Sequence, residues 1–530
     1  MRPAASVPPP RRVRRWSRSL ERARRRLASQ RYSSGVGARF SPHSLVFRYA
    51  VLFALGALLS GITIWWGINP HDEGLVLQAG ARVAEGQLPY RDFYANYGPG
   101  QYFLVGGLDL LFGPSLLTWR IVRVALDATV AVLAYALTRR DAPEVMALAA
   151  WLAVACAMAF PSIPHPNPAA IALGLGAILA AGRLPATAGA LAGLSILFRF
   201  DVGAAAVAGA ALAANGRRAA TRVAAVAACA AGVLLAPFVL GAPRAFWEQT
   251  LGFAVDEQAL QRLPLPGAWD GGFEPNKILQ HYFVYVLLAG TALWLVAAVR
   301  GRAPLRLWAP LPLALAGVAY LLARADEFHL IPLAAVLPIL LATGAARERR
   351  AGRTPWAVAL LALLGLIALH GLDRKRIQVL DPPPLAAVRV DVADGIQAQA
   401  SEARALSALV AYVRARVPEG GPVFVANPRH DLVRAGNPLV YVLLGRENPT
   451  RYDVMQPGVV TTARVQREIV RDLERSRPRL VVRWLSPVAA AAEPNGAGRS
   501  SGVRVLDRYL ARRYVAERRF GDYQVLRRRG

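Results

Sequence analysis

The chain has 530 residues, 55% of them hydrophobic, and a mean hydropathy of +0.31. It also contains 63 Lys and Arg against 34 Asp and Glu, a formal net charge of +29. This combination excludes an ordinary soluble enzyme, because the apolar and the charged residues must face different solvents. The charge alone would fit a nucleic-acid-binding protein. Most arginines, however, form short clusters between apolar runs, as in oriented membrane proteins, so we predict no nucleic-acid partner.

The N-terminal part of the chain changes from basic to apolar near residue 45. The first 44 residues contain twelve Arg and a single acid, Glu21. They predict a basic cytoplasmic tail, with a transit peptide as the alternative. From 45 to 371, apolar runs of about 20 residues follow one another, the length that a helix needs to cross a bilayer. We predict a transmembrane domain of about eleven helices there.

The basic residues between these runs predict the topology. With the N-terminus in the cytoplasm, the first span, 45–66, runs outward and residues 67–117 form a long outer loop. The second span then returns to the basic pair Arg139 and Arg140, which belongs inside. An odd number of spans places the C-terminal region outside. We expect a multi-pass protein of a bacterial inner (plasma) membrane with an extracytoplasmic C-terminal domain.

Residues 385–530 are mixed and charged, and predict an α/β soluble domain. This region contains no cysteine, and Cys156 and Cys229 lie in apolar runs, so no disulfide framework is expected. Residues 493–502 predict an exposed loop. Helical patterns over 401–417, 461–475 and 503–511 alternate with strand patterns over 423–427, 480–484, 515–520 and 523–528.

The loop after the first span carries an unusual set of residues. Asn69 and Pro70 form a break that ends the first helix. Asp72 and Glu73 follow, so two adjacent carboxylates lie at the membrane surface. Residues 75–84 then have helical periodicity, which predicts a short helix lying on the membrane.

This arrangement resembles the GT-C glycosyltransferases, in particular the family-39 and protein-mannosyltransferase-like group. The resemblance covers about the first 140 residues. It implies a sugar donor linked to polyprenyl phosphate, a site at the outer face of the bilayer, and an acceptor hydroxyl on an unknown glycan, lipid or protein. The residues that carry it are, in chain order, Asp72, Glu73, Pro89, Tyr90, Gly98 and Pro99.

Such a reaction needs a base and cations. Asp72 is the candidate base, because a carboxylate can accept the proton that the acceptor hydroxyl loses, and Glu73 is the second candidate catalytic carboxylate. The leaving phosphate gains negative charge as the glycosidic bond breaks, so cations stabilise the transition state. No cofactor is certain, and a divalent metal ion is left open. The candidate substrate- and phosphate-binding residues are Arg91, Arg199, Lys277, Arg324, Asp326 and His329.

These candidates also have structural interpretations. Asp72 can cap the surface helix. Arg199 and Asp201 can pair with each other at the interface, and Lys277 can extend its amine to water at a helix start. The charged residues within 324–329 can form a solvated loop.

Three functions remain open from the sequence. The first is a membrane glycosyltransferase that uses a lipid-linked sugar. The second is a transporter or flippase for a lipid or solute, which should place ionisable residues near the middle of spans, where Asp127 is the clearest acid. The third is a non-catalytic membrane scaffold whose outer domain binds polysaccharide. Most other acids and cations fall at one predicted membrane face, which favours the enzyme.

Overall fold

A computed structural model of the chain describes residues 42–163 and 165–530. The predicted basic tail, residues 1–44, therefore lies almost entirely outside the described residues. The chain divides into two compact units, Met1–Val51 and Leu52–Gly530. The described part of the first unit, residues 42–51, is helical.

Fifteen helices precede residue 381 in the described chain, and they follow the apolar runs of the sequence because a helix satisfies its own backbone hydrogen bonds. A π-helix at Glu248–Glu257 and a 3₁₀ helix at Leu305–Trp308 interrupt the series. In chain order the helices are α1 (Pro42–Gly61), α2 (Asp72–Ala84), α3 (Gly100–Phe112), α4 (Leu116–Arg139), α5 (Glu144–Met158), α6 (Asn167–Ala180), α7 (Pro185–Phe198), α8 (Phe200–Ala213), α9 (Arg217–Gly241), α10 (Pro243–Trp247), α11 (Gln258–Leu260), α12 (Pro275–Arg300), α13 (Leu311–Ala323), α14 (Glu327–Arg350) and α15 (Thr354–Leu380).

Six helical stretches of the described chain are long and apolar enough to cross a membrane, and five further apolar helices are shorter, with 10–17 residues. Helix α14 lies at the centre of the helical core, since 89% of its most apolar stretch is buried. Small residues let neighbouring helices approach closely. A β-carbon at Gly189 of α7 would lie 2.6 Å from the carbonyl oxygen of Val223 in α9. The predicted number of spans stays a prediction.

The short helix predicted after the first span is α2, and it is largely buried. Nine of its 13 residues are buried, among them Val76 and Leu77. These two residues share a core with Val105 of α3 and with apolar residues of the C-terminal region. The helix is therefore covered by protein and does not lie freely on a membrane surface.

The C-terminal region, residues 385–530, contains a four-stranded sheet, whose strands are, in order across the sheet, β3 (Val423–Ala426), β4 (Leu480–Trp484), β6 (Tyr523–Arg528) and β5 (Tyr514–Phe520). Strands β3 and β4 are parallel, and the other pairs are antiparallel. Alternate residues of β3 enter two different cores: Val423 and Val425 face one, and Phe424 and Ala426 face the other. The elements are β1 (Leu385–Ala387), β2 (Gln397–Gln399), α16 (Ala400–Arg414), β3 (Val423–Ala426), α17 (Leu439–Leu444), α18 (Ala463–Ser476), β4 (Leu480–Trp484), α19 (Val505–Arg513), β5 (Tyr514–Phe520) and β6 (Tyr523–Arg528).

The predicted fold class, a polytopic helical membrane protein with a C-terminal α/β region, is confirmed. The pattern of apolar residues predicted two of the last strands of the chain accurately, since β4 and β6 begin and end where predicted. The domain boundary at 385 stays a prediction, because α2 and the C-terminal region share a core.

Candidate active site

A cavity of about 990 Å³ lies where α2, the ends of the apolar helices and the C-terminal region meet. Asp72, Arg199 and Arg324 line it, although 127 residues separate the first two. Asp326 and His329 also line it. The structure thus brings together five of the eight residues that the sequence proposed.

Asp72 is the first residue of α2 and is half-buried at the cavity wall. Its backbone N–H donates to Asn69 Oδ1 at 3.0 Å, and Asn69 Nδ2 lies 3.5 Å from its carboxylate. The N-cap of α2 is His71, whose side chain makes no capping hydrogen bond. Asp72 itself does not occupy the cap position, and its carboxylate is at the cavity.

Glu73 lies on the other side of the same helix turn, away from the cavity lining. Its side chain is fully buried, and Arg120 of α4 donates to both carboxylate oxygens at 2.8 Å. Arg120 also donates to the carbonyl of Gly67 at 2.7 Å. Removing one partner of such a buried pair costs about 3–5 kcal/mol. Glu73 therefore fixes the start of α2 and does not line the cavity.

Arg199 stands between α7 and α8 in an extended conformation. Its guanidinium donates to both oxygens of Asp201, at 2.9 and 2.6 Å. It also lies 4.5 Å from the ring centroid of Tyr320 and 6.0 Å from that of Tyr97. The pairing with Asp201 that the sequence offered as a structural alternative is present, and both residues line the cavity.

Asp326 organises the turn before α14. It caps the helix by accepting the N–H groups of Phe328 and His329, at 3.1 and 3.0 Å. It also accepts from His329 Nδ1 and Arg324 Nε, both at 2.6 Å. Burial would raise the pKa of Asp326, but the hydrogen bonds and charges of His329 and Arg324 hold it at about 2. The carboxylate is therefore ionised at neutral pH and keeps Arg324 directed at the cavity.

Arg91 and Lys277 do not line the cavity. Arg91 is exposed and pairs with the adjacent Asp92 at 2.8 Å. Lys277 is exposed and pairs with Glu274 at 2.7 Å. The structure does not bring either residue to the other candidates.

The cavity also contains residues that the sequence did not single out. His71 is beside Asp72, and its imidazole contacts Gln456 at 2.8 Å and the carbonyl of Gly436 at 3.2 Å. Burial lowers the pKa of His71. Its position next to Asp72 was a signal that could have identified it.

Residues 493–502 form a loop, as predicted, but Glu493 itself is not exposed: its side chain is only 9% exposed. Its carboxylate binds Arg324 and Arg434. Neither Glu493 nor Arg434 had a sequence signal, because 169 residues separate Glu493 from Arg324.

The cavity has more acids than fixed cations among the described residues. Three arginines, Arg199, Arg324 and Arg434, face five carboxylates, which leaves an excess of two negative charges when histidine is neutral. In the described part of the chain, no group of three or more His, Cys, Asp or Glu is arranged to hold a metal ion. The carboxylates that line the cavity are Asp72, Asp201, Asp326, Glu402 and Glu493.

The chain is an integral membrane protein with the GT-C fold. Apo ArnT from Cupriavidus metallidurans aligns with it at a TM-score of 0.54 and 14% identity, over 91% of this chain and 98% of that one. ArnT of the same organism bound to undecaprenyl phosphate gives 0.51 and 13%, over 92% and 98%. No family model matches the chain, and no curated protein matches its sequence. The predicted resemblance is confirmed for the fold, and its family-39 part stays a prediction.

Proposed function

We propose that the protein is a membrane glycosyltransferase that moves a sugar from a polyprenyl-phosphate carrier to an acceptor hydroxyl at the outer face of the membrane. The observation that carries this proposal is the single cavity in which Asp72 stands with Arg199 and Arg324. The ArnT structure with bound undecaprenyl phosphate adds support, because a protein of this fold accepts such a carrier.

Asp72 is the base in this proposal. The acceptor oxygen attacks the anomeric carbon while its proton passes to the Asp72 carboxylate. The bond between that carbon and the phosphate oxygen breaks, and the carrier phosphate leaves with the electron pair.

Arg199 and Arg324 stabilise the leaving phosphate. A guanidinium presents two parallel donors to two phosphate oxygens, which a lysine cannot do. Asp201 holds Arg199 over the Tyr320 ring and Asp326 holds Arg324, so both guanidinium groups are oriented before the donor arrives. Preorganised charge of this kind stabilises a transition state without reorganisation during the reaction.

The apolar wall of the cavity suits the carrier's hydrocarbon chain. Leu235 and Val239 of α9 line it together with Phe246 and Leu251 from the segment that follows. Leu251 is 57% exposed. An exposed leucine in the cavity wall gives the hydrocarbon chain of the carrier an apolar surface to pack against.

The transporter hypothesis has no supporting observation in the described residues. Asp127, the mid-span acid, is fully buried and accepts from Arg123 and from Ser60, both at 2.7 Å. Lys375 completes the same network by donating to the carbonyls of Ser60 and Ala159. The acid is thus already neutralised and hydrogen-bonded, as in a structural cluster that joins helices.

The direct test is turnover of a lipid-linked sugar. The purified full-length protein is incubated with a panel of radiolabelled polyprenyl-phosphate sugars, and release of the free carrier phosphate is measured. We expect release with at least one donor and none from boiled protein. No release with any donor, in the presence of membrane lipid and glycan acceptors, would contradict the proposal.

A further inference from the structure

One carboxylate occupies the place between two arginines of the cavity. Glu493 Oε1 accepts from Arg324 Nη2 at 2.7 Å and from Arg434 Nε at 2.6 Å. Its Oε2 accepts from Arg324 Nη1 at 2.9 Å and from Asn495 Nδ2 at 2.8 Å. Two guanidinium groups and an amide therefore direct four hydrogen bonds at a single small anion.

This arrangement of donors is also the one that binds a phosphate. Fork-shaped guanidinium groups recognise carboxylate and phosphate oxygens with the same paired geometry. Arg324 and Arg434 both line the cavity, as does Glu493. A phosphate that entered here would find its donors in position and a carboxylate already bound to them.

The charge of the cavity opposes simultaneous binding of both anions. The lining already has two more carboxylates than arginines, and a phosphate would add to that excess. Protonation does not relieve it: burial would raise the pKa of Glu493, but hydrogen bonds from Arg324 and Asn495 hold it at about 2. Near neutral pH, Glu493 therefore stays ionised. Its carboxylate is removed from the two arginines only if the side chain moves.

The segment that carries Glu493 is held by hydrogen bonds, such as Asn495 Nδ2 to the carbonyl of Gln261 at 3.0 Å, and not by regular structure. Between the 3₁₀ helix at Pro487–Ala490 and α19, which begins at Val505, the described backbone has no helix or strand. Gly498 and Gly502 have φ of +69° and +75°, which marks turns. Contacts to the rest of the cavity rim include Gly496 N–H to the carbonyl of Leu260 at 3.0 Å.

We propose that Arg324 and Arg434 form an anion site in which Glu493 is the resident anion, and that the phosphate of the donor carrier displaces Glu493 from it. The identity of the carrier rests on the proposed function, whereas the two-arginine site rests on the contacts alone. Arg434 then becomes a phosphate-binding residue that the C-terminal region supplies, and segment 491–502 moves away from the cavity when the donor binds.

The test compares the affinity of the full-length protein for undecaprenyl phosphate and for inorganic pyrophosphate. Glu493→Gln keeps the shape of the side chain and removes its charge, so we expect both probes to bind at least about fivefold more tightly than to wild type. Glu493→Asp keeps the charge and should not reproduce that gain. Glu474→Gln is the matched control, because it removes an exposed carboxylate of the C-terminal region that does not line the cavity.

A double-variant cycle separates the two roles of Arg434. If Arg434 only holds Glu493, then Arg434→Gln has no effect on either probe once Glu493 is Gln. If it binds phosphate, Arg434→Gln in the Glu493→Gln background lowers the affinity for both probes. We expect the second result, with a loss of about tenfold or more.

The outcomes separate this inference from the proposed function. Unchanged or weaker binding to folded Glu493→Gln, with wild type binding undecaprenyl phosphate, overturns the inference and leaves the proposed function standing. A gain for pyrophosphate, with no binding of undecaprenyl phosphate to any variant, supports the anion site and contradicts the carrier. No binding of either probe to any variant overturns both. If Glu493→Gln does not fold, Glu493→Ala replaces it, and unchanged or weaker pyrophosphate binding to folded Glu493→Ala overturns the inference.

Discussion

At the scale of single residues, Asp72 differs from three other acids of the cavity, Asp201, Asp326 and Glu493, in its partners. Asp201 is paired with Arg199, and Asp326 with Arg324. In the described chain, the Asp72 carboxylate has only the 3.5 Å contact with Asn69 Nδ2. A carboxylate that is free of ion pairs keeps its lone pairs available for an incoming proton, which suits a base.

Asp72→Asn should therefore abolish catalysis without disturbing the site. The amide has nearly the same shape but cannot accept the proton, so we expect turnover to fall by about 10²–10⁴-fold while carrier affinity stays unchanged. Asp270→Asn, in an exposed loop away from the cavity, is the control. Near-normal turnover by the Asp72→Asn variant would show that another group is the base.

Asp326 gives a prediction about pH. Its pKa in the folded protein is about 2, below the ordinary value of 3.8, so its charge stabilises the fold above pH 4. This contribution, about 2 kcal/mol, is lost as the pH falls from about 4 to about 2. Asn can also cap a helix, so Asp326→Asn isolates the charge. We expect wild type to melt above Asp326→Asn at pH 7 and the difference to shrink by pH 3; a constant difference would contradict this.

At the scale of elements, helix α2 connects the membrane region to the C-terminal region. A β-carbon at Gly74 would lie 2.2 Å from the backbone nitrogen of Leu439 in α17. The preceding residue, Glu73, forms a buried ion pair with Arg120 of α4. Asp72, at the start of this helix, therefore owes its position to packing on both sides.

Gly74→Ala should separate α2 from α17. The added methyl group meets backbone atoms that cannot rotate away, and overpacking of this kind costs about 1–3 kcal/mol. We expect a lower melting temperature in detergent and a loss of turnover. Gly107→Ala in α3 is the control, since a β-carbon there meets nothing within 4 Å. Equal melting temperatures for the two variants would contradict the close packing.

The sequence predicts elements better than it predicts their surroundings. Strand β4 was located correctly because four of the five residues in Leu480–Trp484 are apolar. The cover over α2 was missed, because an apolar helix face has the same pattern whether it meets lipid or protein. The burial of Glu493 was not predicted for a related reason. An acid in a segment that contains Gly and Asn has the pattern of an exposed loop, and its partner Arg434 is 59 residues away in the sequence.

At the scale of the whole molecule, the arrangement of charge predicts the orientation. Basic pairs such as Arg139 with Arg140 belong on the cytoplasmic side, which places Asp72 and the C-terminal region on the other side. A reporter that is active only in the cytoplasm, fused after Gly530, should therefore stay silent, and one fused after Arg140 should be active. Activity of the Gly530 fusion would contradict the topology and, with it, the outward-facing site.

The central claim is that one cavity holds both the base and the donor phosphate. A cryo-EM structure of the full-length protein with undecaprenyl phosphate tests it directly. We predict that the phosphate lies within about 3 Å of guanidinium nitrogens of Arg324 or Arg199, with open space between it and Asp72 for a sugar. A phosphate bound outside this cavity, more than about 10 Å from every arginine that lines it, would contradict the account.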